Sequence, residues 1–286
     1  MADTSFDTVR TRVFLRVIVG GVRALGPLRR PLGTAVALLW YARQPRAVRR
    51  RAAAQHRRLS PRLSRAAAQV RARASYREYV WMILDSIWAE PLNTDALCEV
   101  IDFEGAELLR DGNGIMVASH FGNWDMGVSS AHALGLPMTT VMAPIGTPSM
   151  TALVELSRHR KGVELFTPRQ AARGLVRALR QGRWVGLMLD VSEAGPTVVV
   201  PFCGGPVRVS AVPARLAAGT AVPIVPVACW RDGRRWRVRI HPRIDVDALE
   251  DDLTVMTRVA AALEPDIRRH PEQWYPFHEV YADDGG

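Results

Sequence analysis

Acidic side chains are missing from a whole stretch of the chain: from Thr8 to Arg77 there is no Asp or Glu, against 18 Arg. Lysine is almost absent, with Lys161 the single example. Cysteine is scarce too. Cys98, Cys203 and Cys229 are far apart, odd in number and form no C-x-x-C, which argues against a disulfide framework or a zinc ribbon and suits a reducing cytoplasm. Long apolar runs are also lacking: the longest uncharged run in the basic third, Pro31 to Ala42, has 12 residues, short of the roughly 20 that span a bilayer. The longer uncharged stretch from Met126 to Val154 is broken by Pro137, Pro144 and Pro148, and no small-residue cleavage signal of a secretory leader is placed near the start. Neither H-E-x-x-H, a Walker lysine loop, a strand-borne G-x-G-x-x-G nor a G-x-S-x-G elbow occurs. Ser119 therefore does not read as a hydrolase nucleophile, and as the neighbour of His120 on a strand it should point to the opposite side.

What is present is an ordinary globular composition, 48% hydrophobic and 23% charged over 286 residues, enough for one large domain or two small ones. The formal charge of +10 hides an asymmetry, because from Glu78 onward 26 acidic residues outnumber 20 basic ones. A mildly acidic body carries a basic N-terminal third. That third alternates Arg with Leu, Val and Trp and predicts amphipathic helices over about 6–25, 30–43 and 60–90, interrupted at Gly26-Pro27, Gln44-Pro45 and near Pro61. Such helices suit an anionic membrane surface, where each Arg adds about 1 kcal/mol; packing against the body alone is the plainer alternative. No zinc finger, RNP motif or helix-turn-helix supports a nucleic-acid partner.

From about residue 98 short apolar runs alternate with helical patterns. Strands are expected at 100–103, 115–118, 138–142, 163–166, 184–189, 198–202, 222–228 and 236–240, with helices at about 104–110, 123–134, 148–161, 168–181, 210–218 and 252–269. This rhythm predicts an α/β fold with a largely parallel central sheet flanked by helices. The expected organisation is an N-terminal helical basic extension over 1–90 and an α/β body over 91–286.

The chemistry concentrates at Ser119-His120-Phe121-Gly122-Asn123-Trp124-Asp125, where an apolar strand runs into a tight turn and a new helix. An Asp that holds one nitrogen of a neutral imidazole leaves the other as a general base. On this reading Asp125, four residues past the turn's start, folds back onto His120. The H-x4-D spacing alone is common; a His, Asn, Trp and Asp together at the mouth of an apolar strand are not what a core needs.

These residues resemble the lipid A biosynthesis lauroyl and myristoyl acyltransferases and the related phosphatidylinositol mannoside acyltransferases, within the wider glycerol-phosphate-type acyltransferase fold. The resemblance runs from about Glu78 to Tyr281. Besides Ser119 to Asp125, Val200 to Pro206 with Pro213 to Ala217 is similar to the family's Phe-Phe-Gly and P-A-x-L-A region. Ala221 to Val227 is similar to its P-x-x-P strand, and His270 to His278 to its terminal H-P-E-Q-W block. The resemblance implies an acyltransferase with His120 as base and Asp125 as its orienting partner. An acyl-CoA or acyl carrier protein thioester would serve as co-substrate, without metal or bound cofactor. A lipid or glycolipid hydroxyl would be the acceptor, at the inner face of the cell membrane. Where the mannoside branch has a Glu shortly before Phe-Phe-Gly this chain has Val199, so a second acid must come from elsewhere; Asp190 and Glu193 are nearest. Asn123, Trp124 and Phe202 are further candidates for substrate contact, as are Arg158 and Arg160 (with Lys161) and Arg208 beside the Phe202 block, either as phosphate ligands or as charges at a helix C-terminus. Two alternatives stay open: acylation of an amine or hydroxyl of a non-lipid metabolite from a carrier protein, and a non-catalytic relative that binds acyl chains or membranes.

Overall fold

The computed structural model describes residues 8–190, 195–275 and 280–282. Four helices open the chain: α1 (Val9–Ala24), α2 (Arg29–Arg43), α3 (Arg46–Leu59) and α4 (Arg65–Ala89). The body follows as α5 (Thr94–Val100), β1 (Ile101–Glu104), β2 (Ile115–Ala118), α6 (Trp124–Ala133), β3 (Met138–Val141), α7 (Pro148–Arg160), β4 (Glu164–Phe166), α8 (Ala171–Arg180) and β5 (Trp184–Met188). It continues with β6 (Thr197–Phe202), β7 (Gly205–Ser210), α9 (Val212–Thr220), β8 (Ile224–Asp232), β9 (Arg235–Ile240) and α10 (Asp252–Arg269). Seven strands form one sheet in the order β1-β9-β8-β2-β5-β3-β4. Pairing is parallel from β8 to β4, whereas β9 joins β8 antiparallel and β1 closes that edge parallel to β9. The expected α/β sheet is therefore present, with one hairpin at its β8 side.

Buried on both faces, the central strands are nearly continuous apolar runs, as in other covered parallel sheets. Ile115, Val117, Val185 and Ile224 are fully enclosed in a core that also holds Leu175, Val259 and Trp274. Four elements differ from the expectation, the first being α5, where no helix was expected. Arg46–Leu59 is a helix, since Pro45 sits at its N-cap, where a proline costs nothing. Its Arg-dense sequence hides a small-residue face of Ala52 and Ala53 packed beneath Tyr41 and Tyr76. Residues 104–110 yield only a short 3₁₀ turn, Ala106–Leu109. The block after Phe202 is the tip of a separate hairpin, β6 with β7, turned by Cys203 and Gly204, both at positive φ as two-residue hairpin turns require. A Cβ on Gly204 would lie 2.2 Å from the Arg58 carbonyl oxygen, so only glycine lets this tip rest on the end of α3.

The N-terminal helices pack tightly on the body. In α2 the buried positions are the small Gly33 and Ala37 with Tyr41. A Cβ at Gly33 would meet Leu84 of α4 at 2.7 Å, so the two helices touch closely. The helix α4, about 37 Å long at 1.5 Å per residue, leans on the sheet, and its buried Glu78 pairs with Arg231 of β8. Among the described residues no helix is long and apolar enough to cross a membrane.

Candidate active site

Parallel pairing of β2 with β5 decides the site. The register sets Ala118 opposite Met188, so the chain two residues further on brings His120 opposite Asp190 at the C-terminal edge of the sheet. In open α/β sheets that edge is where ligands bind. Asp190 is buried and accepts four hydrogen bonds: from Ser119 Oγ (2.5 Å), from the His120 main-chain N–H to both oxygens (3.0 and 2.9 Å), and from His120 Nδ1 (2.9 Å). With the proton on Nδ1, Nε2 keeps its lone pair. It makes no hydrogen bond among the described residues, and the side chain is 27% exposed.

Burial disfavours charge on both groups. For His120 the Asp190 charge and hydrogen bond, with a smaller contribution from the Asp125 charge, outweigh burial and raise the imidazole above its ordinary range. For Asp190 burial is likewise overcome, by the imidazole and the bonds from Ser119 and His120, and its pKa falls.

Asp125 does not take the imidazole hydrogen bond expected of it. It lies in the first turn of α6, and its Oδ1 accepts from Arg158 Nη2 on α7 at 3.1 Å. It acts on His120 only through space. Asp190, the nearest candidate for a second acid, occupies the position on Nδ1, while Glu193 lies outside the described residues. Alternation along a strand lapses where β2 ends at Ala118, so Ser119 and His120 both turn to Asp190 and not to opposite sides.

The other candidates divide. The Trp124 ring meets the His120 imidazole edge-on at 4.8 Å, and Tyr79 and Tyr275 stand 6.4 and 6.0 Å from Trp124. Those two tyrosines were not singled out in the sequence, because one lies in the basic third and the other in the terminal block. Burial, then the Asp125 charge, raises the Tyr79 phenol. Asn123 is not a substrate contact: it is 2% exposed and caps α6, with Oδ1 accepting from Met126 N (2.8 Å) and Ser86 Oγ (3.1 Å). Phe202 is likewise core, enclosed and edge-on to Trp274. Arg160 and Lys161 approach Glu90 at 3.8 and 2.9 Å, so that basic cluster is largely neutralised. Arg208 is exposed on β7, opposite Val199 on the hairpin. Cys203 and Cys229 are buried and Cys98 is exposed, all three as free thiols. Among the described residues no three His, Cys, Asp or Glu converge as a metal site.

Gly122 shows why this loop has its sequence. Its φ is +63°, and a Cβ would lie 1.9 Å from the Cys229 carbonyl oxygen of β8. Gly122 N–H donates to Gln273 O (2.7 Å), Tyr275 N–H to His120 O (3.1 Å), and Asn123 N–H to Cys229 O (2.7 Å).

The profile of the bacterial lipid A biosynthesis acyltransferases matches residues 2–282. The chain belongs to that family. The match takes in the N-terminal helices as well as the body, and so extends beyond the residues 78–281 that carried the resemblance. Among curated relatives, the phosphatidylinositol mannoside acyltransferase of Mycolicibacterium smegmatis is 30% identical over 194 residues, 65% of this chain and 63% of that one. A Mycobacterium tuberculosis protein of the same name is 29% identical over 190 residues, 64% of this chain and 59% of that one. The matched region thus spans under two thirds of these relatives' lengths. A solved 1-acyl-sn-glycerophosphate (LPA) acyltransferase, PlsC, from Thermotoga maritima aligns over 93% of this chain and 99% of that one, with 14% identity and a TM-score of 0.44.

Proposed function

We propose that this member of the lipid A acyltransferase family transfers an acyl chain from a thioester donor to a hydroxyl of a lipid or glycolipid. The observation that carries the reading is the His120–Asp190 pair at the C-terminal edge of the sheet, its imidazole partly exposed and its Nε2 without a hydrogen bond among the described residues. In the reaction, Nε2 takes the proton of the acceptor hydroxyl as its oxygen attacks the thioester carbonyl. Asp190 stabilises the imidazolium that forms. The tetrahedral adduct then collapses, the C–S bond breaks, and the same proton passes from Nε2 to the leaving thiolate. Trp124 borders the imidazole with the Tyr79 ring behind it, and these two part-exposed rings suit the apolar and sugar-like parts of such an acceptor.

Docking on an anionic membrane face through α1 and α2 belongs to the same proposal. Val9, Val13, Phe14 and Val17 on α1, with Leu32, Val36, Leu38 and Leu39 on α2, are all exposed. In α2 two of the three buried positions are the small Gly33 and Ala37, while four large apolar side chains are exposed, the reverse of a helix made to face water. Flanking arginines fit the phosphate layer of an interface.

The test uses purified protein, an acyl-CoA and an acyl carrier protein donor in parallel, and phospholipid or glycolipid acceptors in anionic vesicles. Product should form with the wild type, and His120→Ala should cut turnover about 10²- to 10⁴-fold while the protein stays folded. Wild-type turnover in that variant overturns the role of His120.

A further inference from the structure

The helix α8 and the turn that leads into it carry a row of arginines that the acyl-transfer site leaves unused, Arg169 in the turn and the rest on the helix. Arg169, Arg173, Arg177 and Arg180 recur at helical spacing, and all four are exposed. Arg177 is engaged, bonded to Glu164 at 3.3 Å and lying over the Phe166 ring. Arg169, Arg173 and Arg180 have no hydrogen bond or ion pair among the described residues. An open groove of about 860 Å³ runs along Arg169, Arg173 and Arg177 with Phe166 in its wall. No large apolar side chain is exposed on this face, in contrast to α1 and α2, so it offers charge and not insertion into lipid.

Its position matters as much as its charge. The strands β2, β5, β3 and β4 are parallel, so His120 and the start of the arginine row lie beyond the same edge of the sheet. Three strand spacings separate β2 from β4, about 14 Å, a gap that a phosphopantetheine arm can bridge. The row then leads away from that edge along the helix, about 10 Å from Arg173 to Arg180. A nucleotide at the near end would meet Arg169 and Arg173 and leave Arg180 untouched. A protein with an acidic face would meet the whole row.

We propose that α8 docks an acidic acyl carrier protein, which passes its thioester to His120 along the C-terminal edge of the sheet. The proposal rests on the acyl-transfer reading above, yet docking is a binding event that is measured without turnover. The probe is a purified acyl carrier protein loaded with a palmitoyl thioester, titrated onto the full-length protein at low and high salt. The wild type should bind, more weakly as salt rises. The triple variant Arg169→Glu, Arg173→Glu, Arg180→Glu should bind at least about tenfold more weakly with an unchanged thermal melt. In turnover, its ratio of kcat/KM for the carrier-bound donor to kcat/KM for acyl-CoA should fall by a similar factor. The single variant Arg180→Glu should move that ratio the same way, since it lies at the end remote from the catalytic edge. No salt-dependent binding by the wild type, or undiminished binding by the triple variant, overturns the proposal. An equal loss with acyl-CoA reassigns the row to the donor's phosphates, and a loss of vesicle binding with carrier binding intact reassigns it to lipid. If the wild type binds the carrier protein but moves no acyl chain, docking stands and the acyl-transfer reading fails. Turnover from acyl-CoA with no carrier binding removes docking alone.

Discussion

Replacing Asp190 by Asn changes almost no volume and removes the charge and one acceptor from beneath His120. The carboxylate accepts from Ser119 Oγ, the His120 main-chain N–H and His120 Nδ1, and alone supplies a negative charge together with two acceptor oxygens. An amide oxygen can still serve the main-chain N–H, but the amide nitrogen can only donate. With the nitrogen toward Ser119 Oγ, which can accept, the tautomer survives but the imidazolium loses its counter-charge; with the nitrogen toward Nδ1, the imidazole carries its proton on Nε2, the tautomer that cannot act as base. The cost should be about 10²- to 10⁴-fold in kcat/KM, or about 3–5 kcal/mol of transition-state stabilisation. The pH profile gives a second readout. Turnover needs the neutral imidazole, and the wild-type pKa is raised, so activity should climb with pH through a midpoint above the usual histidine value of about 6.5. In Asp190→Asn the two largest raising influences are gone while burial remains, so the midpoint of the residual activity should move to lower pH. The assay is kcat/KM across pH for wild type, Asp190→Asn and Asp125→Asn, with circular dichroism as the folding control. Wild-type activity and an unmoved midpoint in Asp190→Asn, with the whole loss in Asp125→Asn, would refute the argument and return Asp125 to the orienting role.

Gly122→Ala should cost at least about 3 kcal/mol or prevent folding, because the new Cβ meets the Cys229 carbonyl at 1.9 Å in a left-handed conformation; a wild-type melt would contradict it. His56 is held near pKa 4, first by burial and then by the Arg71 charge, so the folded state keeps it neutral where the unfolded chain, at about 6.5, takes up a proton. Its contribution is therefore complete above about pH 6.5 and lost as pH falls towards 4, at most about 3 kcal/mol; urea titrations at about pH 7.5 and 4.5 should show a smaller loss in His56→Gln. Changing Leu32, Val36 and Leu39 together to Ser should leave the melt intact and weaken sedimentation with anionic vesicles at least about tenfold. Unaltered sedimentation would remove α2 from the membrane contact.

Much of the body was legible because it rests on local signals. Ile115–Ala118 is an apolar run ending at polar residues, and α6 begins where Asn123 offers a cap. Expected and observed bounds agree within a residue for α2 and α10, each followed closely by a Pro, whereas β8 runs four residues past its expected end, up to Gly233. The strand β7 was missed because Pro206 and Arg208 interrupt its apolar pattern, yet Pro206 and Pro201 face each other in a two-stranded hairpin with no third strand to demand their N–H. At the site, His120 was readable from its neighbours in the chain, whereas its partner was not. Which carboxylate reaches an imidazole depends on which strand lies beside β2, and β5 arrives there only after β3 and β4 have been laid down further out. Asp125 is close in sequence but faces Arg158; Asp190, 70 residues away, is close in register.

The same logic explains the terminal block. Read as sequence, His270 to His278 resembles the family's terminal H-P-E-Q-W block; in the fold its described part, up to Tyr275, is largely a clamp. Phe121 and Trp274 form an isolated antiparallel bridge, and the Gln273 side chain exchanges two 2.9 Å hydrogen bonds with the main chain of Arg231. The loop that carries the base is thereby stitched to β8 on one side and to residues 273–275 on the other, while His120 itself is held at three points. Its N–H and Nδ1 donate to Asp190, and its carbonyl accepts from Tyr275. Trp124 limits the ring on a further side. An imidazole fixed in this way has little freedom left except at Nε2, so the geometry needed for proton transfer is set before any substrate arrives. Segments widely spaced along the chain thus serve a single purpose: they hold one nitrogen still at the open edge of the sheet.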